Sequence, residues 1–276
     1  MTLLPGFQFS QSNLQDYVDC PQRFRLRHVQ RLAWPAHEAE PALENERYKI
    51  QGAAFHRLVH QHVLGIPEEK LTRTKVDGNV RRWWQSYLTG QLTDLPSRRY
   101  PEIILSAPLA EHRLVAKYDL LAIELGKRAK IVDWKTSRNR PPSHWLAARL
   151  QTRVYPYLLV QASPQLNSGH QLEPEQVEMI YWFAEYPQRP ERIAYSLAQY
   201  EKDATYLDSL AREIEQISQE DQAESFPLTS DEKLCRYCSY RSLCQRGVEA
   251  GPLEGYELGW EDDFALDFEQ VAEIEY

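Results

Sequence analysis

Apolar residues recur every three or four positions through the first third of the chain, with polar residues between them. This spacing places the apolar side chains on one face of a helix. Ser10 precedes the first such segment and can cap it by accepting a hydrogen bond from the backbone. The pattern predicts three helices, over residues 10–31, 45–64 and 76–91.

After residue 101 the pattern changes to short apolar runs of strand length. Three of these runs follow one another closely and predict an antiparallel meander, at residues 102–109, 112–123 and 129–135. Ser143 can cap a helix that follows, and Pro156 is expected to kink this helix or end its first part. Two further strands are predicted at 177–184 and 192–197, and an amphipathic helix at 198–219.

Bulk composition is that of a soluble globular protein. The 276 residues are 42% hydrophobic and 26% charged, enough for one large domain or two small ones, with a sizeable core. No apolar run approaches the roughly 20 residues that a membrane span needs. The first residues lack the basic and apolar regions of a signal peptide. With only four cysteines, these features predict a cytoplasmic protein, where disulfides are rare.

Charge is unevenly distributed along the chain. The formal net charge is −8, but residues 251–276 hold nine acidic residues and no Lys or Arg. Residues 98–153 hold twelve Lys or Arg and five acidic residues. This basic stretch could contact phosphates, or it could be an ordinary solvated face. The acidic tail could lie across the basic face in place of nucleic acid, or serve only to keep the protein soluble.

The cysteines are spaced as ligands of a metal centre. Cys20 stands alone near the start, and Cys235, Cys238 and Cys244 form a C-x2-C-x5-C group near the end. Four thiolates are the usual ligands of a [4Fe–4S] cluster. If Cys20 is the fourth ligand, the cluster joins both ends of the chain across more than two hundred residues. A four-cysteine zinc site is the alternative, although paired C-x2-C units would fit zinc better.

Candidate chemistry lies between the cysteines, at His56, Asp119, Asp133 and Lys135. Carboxylates from neighbouring strands are suitable ligands for Mg²⁺ or Mn²⁺, and a histidine can add a nitrogen ligand. Lys135 follows Asp133 by two residues, so both side chains point to the same face of a strand. Asp133 lies in an apolar run that should be buried, where a carboxylate without a metal or a partner is costly.

The following helix carries Gln151 and Tyr155, which are four residues apart and therefore share one helix face. They could hold a phosphate or support Lys135. Each of these residues also has a structural explanation, because histidines, acidic residues and glutamines are common on ordinary helices and strand ends. The sequence has no G-x4-G-K-[ST] phosphate loop, so we expect no helicase motor.

Together these motifs resemble the RecB-like branch of the PD-(D/E)XK nuclease superfamily, with the iron–sulfur cluster of its AddB-type and CRISPR-associated members. The resemblance extends from Ser10 to about Cys244. It rests on L-x2-Y-x2-C-P at 14–21, Gly52-x3-His56, Tyr118-Asp119, the segment IVDWKT at 131–136, Gln151-x3-Tyr155 and the terminal cysteine group. The chain departs from the family at residue 116, where Ala replaces a common glycine.

The resemblance implies a role for each candidate residue. His56, Asp119 and Asp133 would bind Mg²⁺ or Mn²⁺, and Lys135 would be catalytic. Gln151 and Tyr155 would support the active site and DNA contact. The four cysteines, Cys20, Cys235, Cys238 and Cys244, would hold a [4Fe–4S] cluster of structural function.

The expected fold is α/β, with a restriction-endonuclease-like core: a central mixed sheet flanked by helices, plus an iron–sulfur subdomain formed by both chain ends. Residues 1–250 would form this single nuclease domain, and 251–276 an acidic tail. The expected activity is metal-dependent cleavage of DNA, as an exonuclease on single strands or ends, in DNA repair, recombination or CRISPR-type processing. The alternative is an iron–sulfur DNA-binding subunit that cuts little without a helicase or recombination partner.

Overall fold

The computed structural model of the protein describes residues 3–33, 42–220, 225–247 and 251. Its centre is a mixed sheet flanked by helices, as expected from the sequence. Apart from Gly251, the predicted acidic tail lies outside the described residues. Within the described part of the chain, no helix is long and apolar enough to cross a bilayer.

Six strands form the sheet: β1 (Gln8–Ser10), β2 (Arg98–Leu109), β3 (His112–Glu124), β4 (Arg128–Lys135), β5 (Val177–Phe183) and β6 (Glu191–Ala194). Strands β2, β3 and β4 form the predicted antiparallel meander, which is therefore confirmed. Strand β5 pairs parallel to β4, and β6 antiparallel to β5. The short strand β1, which the hydrophobic pattern does not predict, pairs parallel to β3 at residues 113–115.

The described helices are α1 (Gln11–Asp19), α2 (Pro21–Phe24), α3 (Ala42–Val63), α4 (Glu68–Thr72), α5 (Gly78–Thr89), α6 (Ser143–Ala148), α7 (Leu150–Ala162), α8 (Leu197–Glu220) and α9 (Glu232–Cys235). A π-helical turn at Arg25–Val29 follows α2. Helix α7 packs on one face of the sheet, in a core with Ile131 and Tyr181. Helices α3 and α5 pack on the other face, in an aromatic core with Trp134 and Trp182. The sheet is thus covered on both sides.

The first predicted helix is interrupted at Cys20. Ser10 caps α1 as expected, accepting a hydrogen bond from the backbone of Asn13. Cys20 is extended, with φ of −163° and ψ of 104°, and a second helix begins at Pro21. A residue before proline is disfavoured in helical conformation, which explains the break. The single helix predicted for 10–31 is therefore wrong in continuity.

The expected break at Pro156 is also displaced. The helix that begins at Ser143 is interrupted at Arg149, which has an extended backbone, and α7 then continues through Pro156 to Ala162. Proline removes one backbone hydrogen bond inside the helix. Burial of nearly every side chain of α7 stabilises the helix in spite of that loss.

The end of the described chain packs against its beginning. The backbone N–H of Gln22 donates to the carbonyl of Pro227 at 3.2 Å. The hydroxyl of Tyr240 donates to the carbonyl of Leu32 at 2.9 Å. Leu26 and Tyr240 share a small apolar cluster with Cys238. These contacts bring the cysteine segment next to Cys20.

A buried carboxylate organises the N-terminal helices. Asp16 is 4% exposed, and its oxygens lie 2.7 Å from Arg23 Nε, 3.0 Å from Arg27 Nη1 and 2.8 Å from His28 Nε2. Burial alone would raise the pKa of Asp16. The hydrogen bond with His28 and the charges of the two arginines outweigh burial and lower this pKa to about 2. The ionised carboxylate therefore stabilises the folded state.

We predict that Asp16 makes the stability of the protein depend on pH under acidic conditions. Its pKa is lower in the folded chain, so its stabilisation is complete above about pH 4 and is lost as the pH falls through about 2. Asp16→Asn should lower the free energy of unfolding by about 2 kcal/mol at pH 7. It should also flatten the acid dependence of urea unfolding in this window.

Asp208→Asn is the matched control, because Asp208 forms an exposed pair with Arg212 on α8. Its loss should stay within about 0.5 kcal/mol. Equal losses in the two variants would contradict the role of Asp16.

Candidate active site

The site lies where the pairing of β3 with β4 ends. The ladder stops at Leu120 and Val132, and the next two residues opposite each other are Asp119 and Asp133. Instead of a backbone carbonyl, the Oδ2 atom of Asp119 accepts the hydrogen bond of the Trp134 N–H, at 2.9 Å. The two strands therefore separate at the level of the two aspartates, which leaves both carboxylates inside the opening.

Helix α3 places His56 over this opening. Its Nδ1 atom lies 3.4 Å from Asp119 Oδ1. Close approach of α3 is possible because Gly52, one turn earlier, has no side chain; a Cβ there would lie 3.3 Å from the Thr136 hydroxyl oxygen. Burial disfavours the charged form of His56, but the Asp119 carboxylate outweighs it and raises the pKa of His56 to about 9. A metal ion that binds this nitrogen must therefore displace a proton.

A third ligand candidate is Glu102 on β2, which the sequence analysis missed. Nitrogen or oxygen atoms of His56, Glu102 and Asp119 lie within 4.8 Å of one another, close enough to share one metal ion. Glu102 has a φ of +56°, and no other non-glycine strand residue in the described chain has a positive φ. Its carboxylate also pairs with Lys117. Such strained conformations concentrate at functional sites.

Hairpin register is the signal that could have found Glu102. Leu109 and His112 pair at the end of the β2–β3 hairpin, with two residues between them. Counting back from this turn puts Glu102 opposite Asp119. Neither residue is paired in the ladder, which continues on both sides at Pro101–Leu120 and Ile103–Tyr118.

Asp133 and Lys135 approach the opening from the other face of the sheet. Gln151 Nε2 on α7 donates to Asp133 Oδ1 at 2.6 Å. Lys135 Nζ lies 3.0 Å from Asp133 Oδ2. Both side chains are buried, with exposures of 6% and 2%. Asp133 is engaged by these two partners and is not in the group of three that could share one ion.

Tyr155 lies in the wall between α7 and β3. Its ring centroid is 4.9 Å from that of Tyr118, and its backbone carbonyl accepts a hydrogen bond from the Tyr118 hydroxyl at 2.9 Å. This contact fixes α7 against the strand residue that precedes Asp119. The structure thus gives Tyr155 a position that supports the site.

The two halves of the candidate site differ in exposure. The side chains of His56 and Asp119 are 30% and 19% exposed, whereas Lys135 is almost fully buried. The charge of Asp133 raises the pKa of His56 and that of Lys135 lowers it, so the three side chains are close enough to interact electrostatically. The four predicted residues therefore come together, and His56 and Asp119 are reached from solvent.

The four cysteines form no disulfide; Cys20 and Cys238 are buried, and Cys235 and Cys244 are half-buried. Burial, followed by the charges of Cys238, Cys20 and Cys235, raises the pKa of Cys244 to about 11. Burial and neighbouring thiolates likewise raise the pKa of Cys235. Among the described residues, no three sulfur atoms lie within 4.8 Å of one another. The cysteine sulfur atoms are therefore more widely spread than the candidate ligand atoms of His56, Glu102 and Asp119.

Comparison with protein families gives a match over residues 8–245 to the PD-(D/E)XK nuclease superfamily. The chain belongs to this superfamily. The match covers both the metal-binding candidates and the cysteines.

Two solved structures are similar to this superfamily member. One is SSO0001, with 14% identity, a TM-score of 0.41 and coverage of 87% of each chain. The other is an Eubacterium rectale protein whose name assigns it provisionally to the exonucleases. It has 8% identity and a TM-score of 0.47, over 77% of this chain and 82% of the other. No curated protein matches the sequence significantly.

We predict that Glu102 is a metal ligand in this nuclease-superfamily site. Glu102→Gln keeps the size of the side chain but removes its charge, so Mn²⁺ affinity measured by titration calorimetry should fall at least tenfold. Glu111→Gln, in the exposed turn of the same hairpin, should bind Mn²⁺ as the unmodified protein does. Equal affinity of the Glu102→Gln variant and the unmodified protein would exclude this carboxylate as a ligand.

Proposed function

We propose that the protein is a metal-dependent DNA nuclease that acts as an exonuclease on single strands or DNA ends. The observation that carries this proposal is that two groups of side chains meet where β3 and β4 separate. His56, Glu102 and Asp119 can share one cation, and Asp133, Lys135 and Gln151 lie directly behind them. Membership of the nuclease superfamily supports phosphodiester hydrolysis as the reaction.

Mg²⁺ or Mn²⁺ would be held by His56 and Asp119, with Glu102 as a third ligand and Asp133 at the inner side. When bound, such an ion polarises a phosphate oxygen and lowers the pKa of a coordinated water. Three ligands from different elements fix its position: α3 supplies the histidine, and β2 and β3 supply the carboxylates. Hard oxygen ligands with one imidazole suit these ions.

Lys135 is the residue placed to handle charge and protons. Its ammonium is 2% exposed and lies 3.0 Å from Asp133 Oδ2, which keeps it beside the opening. There it can orient the attacking water and stabilise negative charge on the phosphate. Gln151 holds Asp133 through its Nε2 atom, and its Oε1 atom is buried without a hydrogen-bond partner in the described structure. That oxygen can accept a hydrogen bond from the water.

The proposed preference for single strands and DNA ends is based on the lack of a helicase motif in this sequence. This sequence contains no phosphate-loop motif that would let it open duplexes by ATP hydrolysis. We therefore propose single strands and ends as substrates, and a helicase, recombination or CRISPR partner where duplex DNA must be opened.

We predict that Asp133→Asn and Lys135→Met each lower DNA cleavage by at least about a hundredfold, because each removes a charge at the reacting phosphate. The assay uses anaerobically purified protein, 5′- and 3′-labelled single strands, and Mg²⁺ or Mn²⁺. Lys127→Met is the control, since Lys127 is exposed in the turn before β4.

Full activity in either site variant would contradict the assignment. DNA binding without metal-dependent cleavage by the unmodified protein would overturn the nuclease proposal in favour of a DNA-binding subunit.

We also propose that Cys20, Cys235, Cys238 and Cys244 hold a [4Fe–4S] cluster that joins both chain ends. Burial and the charges of neighbouring cysteines raise the pKa of Cys235 and Cys244, so deprotonating these thiols needs positive charge, and bound iron would supply it. A cluster of four irons holds its thiolates further apart than a single zinc ion does, which suits their loose grouping. Its role would be structural.

We predict that anaerobically purified protein is brown and contains about four iron atoms per chain. Cys244→Ser should lose iron and visible absorption, because one of the four ligands is removed. Ser239→Ala, in the same segment, should keep both. A colourless preparation with stoichiometric zinc would contradict the cluster and support the zinc alternative.

A further inference from the structure

Arg149 is a buried cation without a hydrogen-bonding partner for its charge. The residue is 7% exposed, and its Nη1 atom is buried with no hydrogen-bond partner in the described structure. Its guanidinium carbon lies 5.1 Å from the centre of the Trp145 ring, a contact with one face of the group. A buried charge is costly unless it is paired and hydrogen-bonded. The buried Nη1 donor of Arg149 therefore has no compensating acceptor among the described residues.

Two other arginines in the described chain show the contrast. Arg153, one turn later on α7, lies 2.6 Å from the buried carboxylate of Asp203. Arg23 lies 2.7 Å from Asp16. Within the described residues, Arg149 forms no such ion pair with a carboxylate. An anion from outside the chain would give Arg149 the negative partner that these two arginines have in Asp203 and Asp16.

Arg149 also precedes the N-terminus of a long buried helix. It is the N-cap residue of the 13-residue helix α7, and no side chain caps the helix there. The first backbone N–H groups of a helix point away from its body and carry partial positive charge. Together with a guanidinium, such a helix end is an anion-binding arrangement.

The position is beside the candidate active site. Gln151, two residues further along α7, bonds directly to Asp133. Tyr181 is the register partner of Asp133 on β5, and its hydroxyl lies 2.7 Å from the Thr152 hydroxyl, also in the first turn of α7. The charge of Arg149 acts on Tyr181 as well. The guanidinium is thus on the Asp133 side of the sheet.

We infer that Arg149 and the N-terminus of α7 bind a phosphate group of the DNA strand next to the cleaved linkage. This inference rests on the proposed nuclease function. A guanidinium donates two parallel hydrogen bonds to non-bridging phosphate oxygens, and the helix end adds backbone donors. The phosphate is either an internal phosphodiester or the 5′-terminal phosphate of the strand. Arg149 is a substrate-binding residue in this account and takes no part in bond cleavage.

The test combines variants with chemically modified DNA. Arg149→Gln and Arg149→Lys are compared with the unmodified enzyme in steady-state cleavage of single-stranded DNA with Mg²⁺. Arg212→Gln is the matched control, because Arg212 is exposed on α8. Substrates carry a single neutral methylphosphonate at successive linkages, and a second set carries either a 5′-phosphate or a 5′-hydroxyl. Thermal unfolding of each variant shows whether it is folded.

We expect Arg149→Gln to raise KM about tenfold with kcat nearly unchanged, because the contact is made equally in the ground state and the transition state. Arg149→Lys should recover part of the loss, since it keeps the charge but not the paired geometry. In the unmodified enzyme, one methylphosphonate position, or removal of the 5′-phosphate, should raise KM by a similar factor. The same change should have no further effect in Arg149→Gln.

The modification that raises KM in the unmodified enzyme but not in Arg149→Gln identifies the bound phosphate. A methylphosphonate position indicates an internal phosphodiester, and the 5′-hydroxyl indicates the terminal phosphate. If Arg149→Gln keeps the KM of the unmodified enzyme, or stays equally sensitive to every modified substrate, the inference is overturned while the nuclease function stands. If the unmodified protein does not cleave DNA, the proposed function fails and this inference fails with it.

Discussion

The site depends on the point at which β3 and β4 stop pairing. A continued ladder would place Asp119 opposite Asp133 and Tyr118 opposite Trp134, with the Trp134 N–H bonded to a backbone carbonyl of β3. Instead, the Asp119 carboxylate accepts the Trp134 N–H, which satisfies a backbone donor while it turns the side chain into the gap. Nearer the start of β3, at residues 113–115, strand β1 pairs with the same edge of β3 that β4 occupies beyond the gap. The gap is therefore bounded on both sides by regular sheet.

This opening lets residues from both faces of the sheet meet. Asp119 contacts His56 from the α3 side, whereas Asp133 is bonded to Gln151 from the α7 side. In a closed sheet these two layers would be separated by the backbone. The alternation of side chains also resets here, since Tyr118 and Leu121 both point into the α7 core. The two hydrophobic cores hold the layers in place, so a small irregularity in the sheet is stable.

The sequence predicted which side chains gather at the opening, except for Glu102 and Arg149. The meander was readable because its strands are apolar and closely spaced, and Asp133 was conspicuous as a carboxylate in a buried run. Glu102 was missed because an acidic residue near the start of a strand is common. Only the register of the β2–β3 hairpin shows that it lies opposite Asp119. Arg149 was missed because unpaired burial is a property of tertiary structure. The break at Cys20 needed only the rule for residues before proline, applied to Pro21.

The central claim is that one cation binds in the opening between β3 and β4, and crystals grown with Mn²⁺ and a single-stranded oligonucleotide test it most directly. Anomalous scattering locates manganese without reference to the protein model. The account predicts a peak about 2 Å from His56 Nδ1 and from carboxylate oxygens of Asp119 and Glu102. A fully occupied manganese site elsewhere, with His56 still paired to Asp119 and no metal between them, would contradict it.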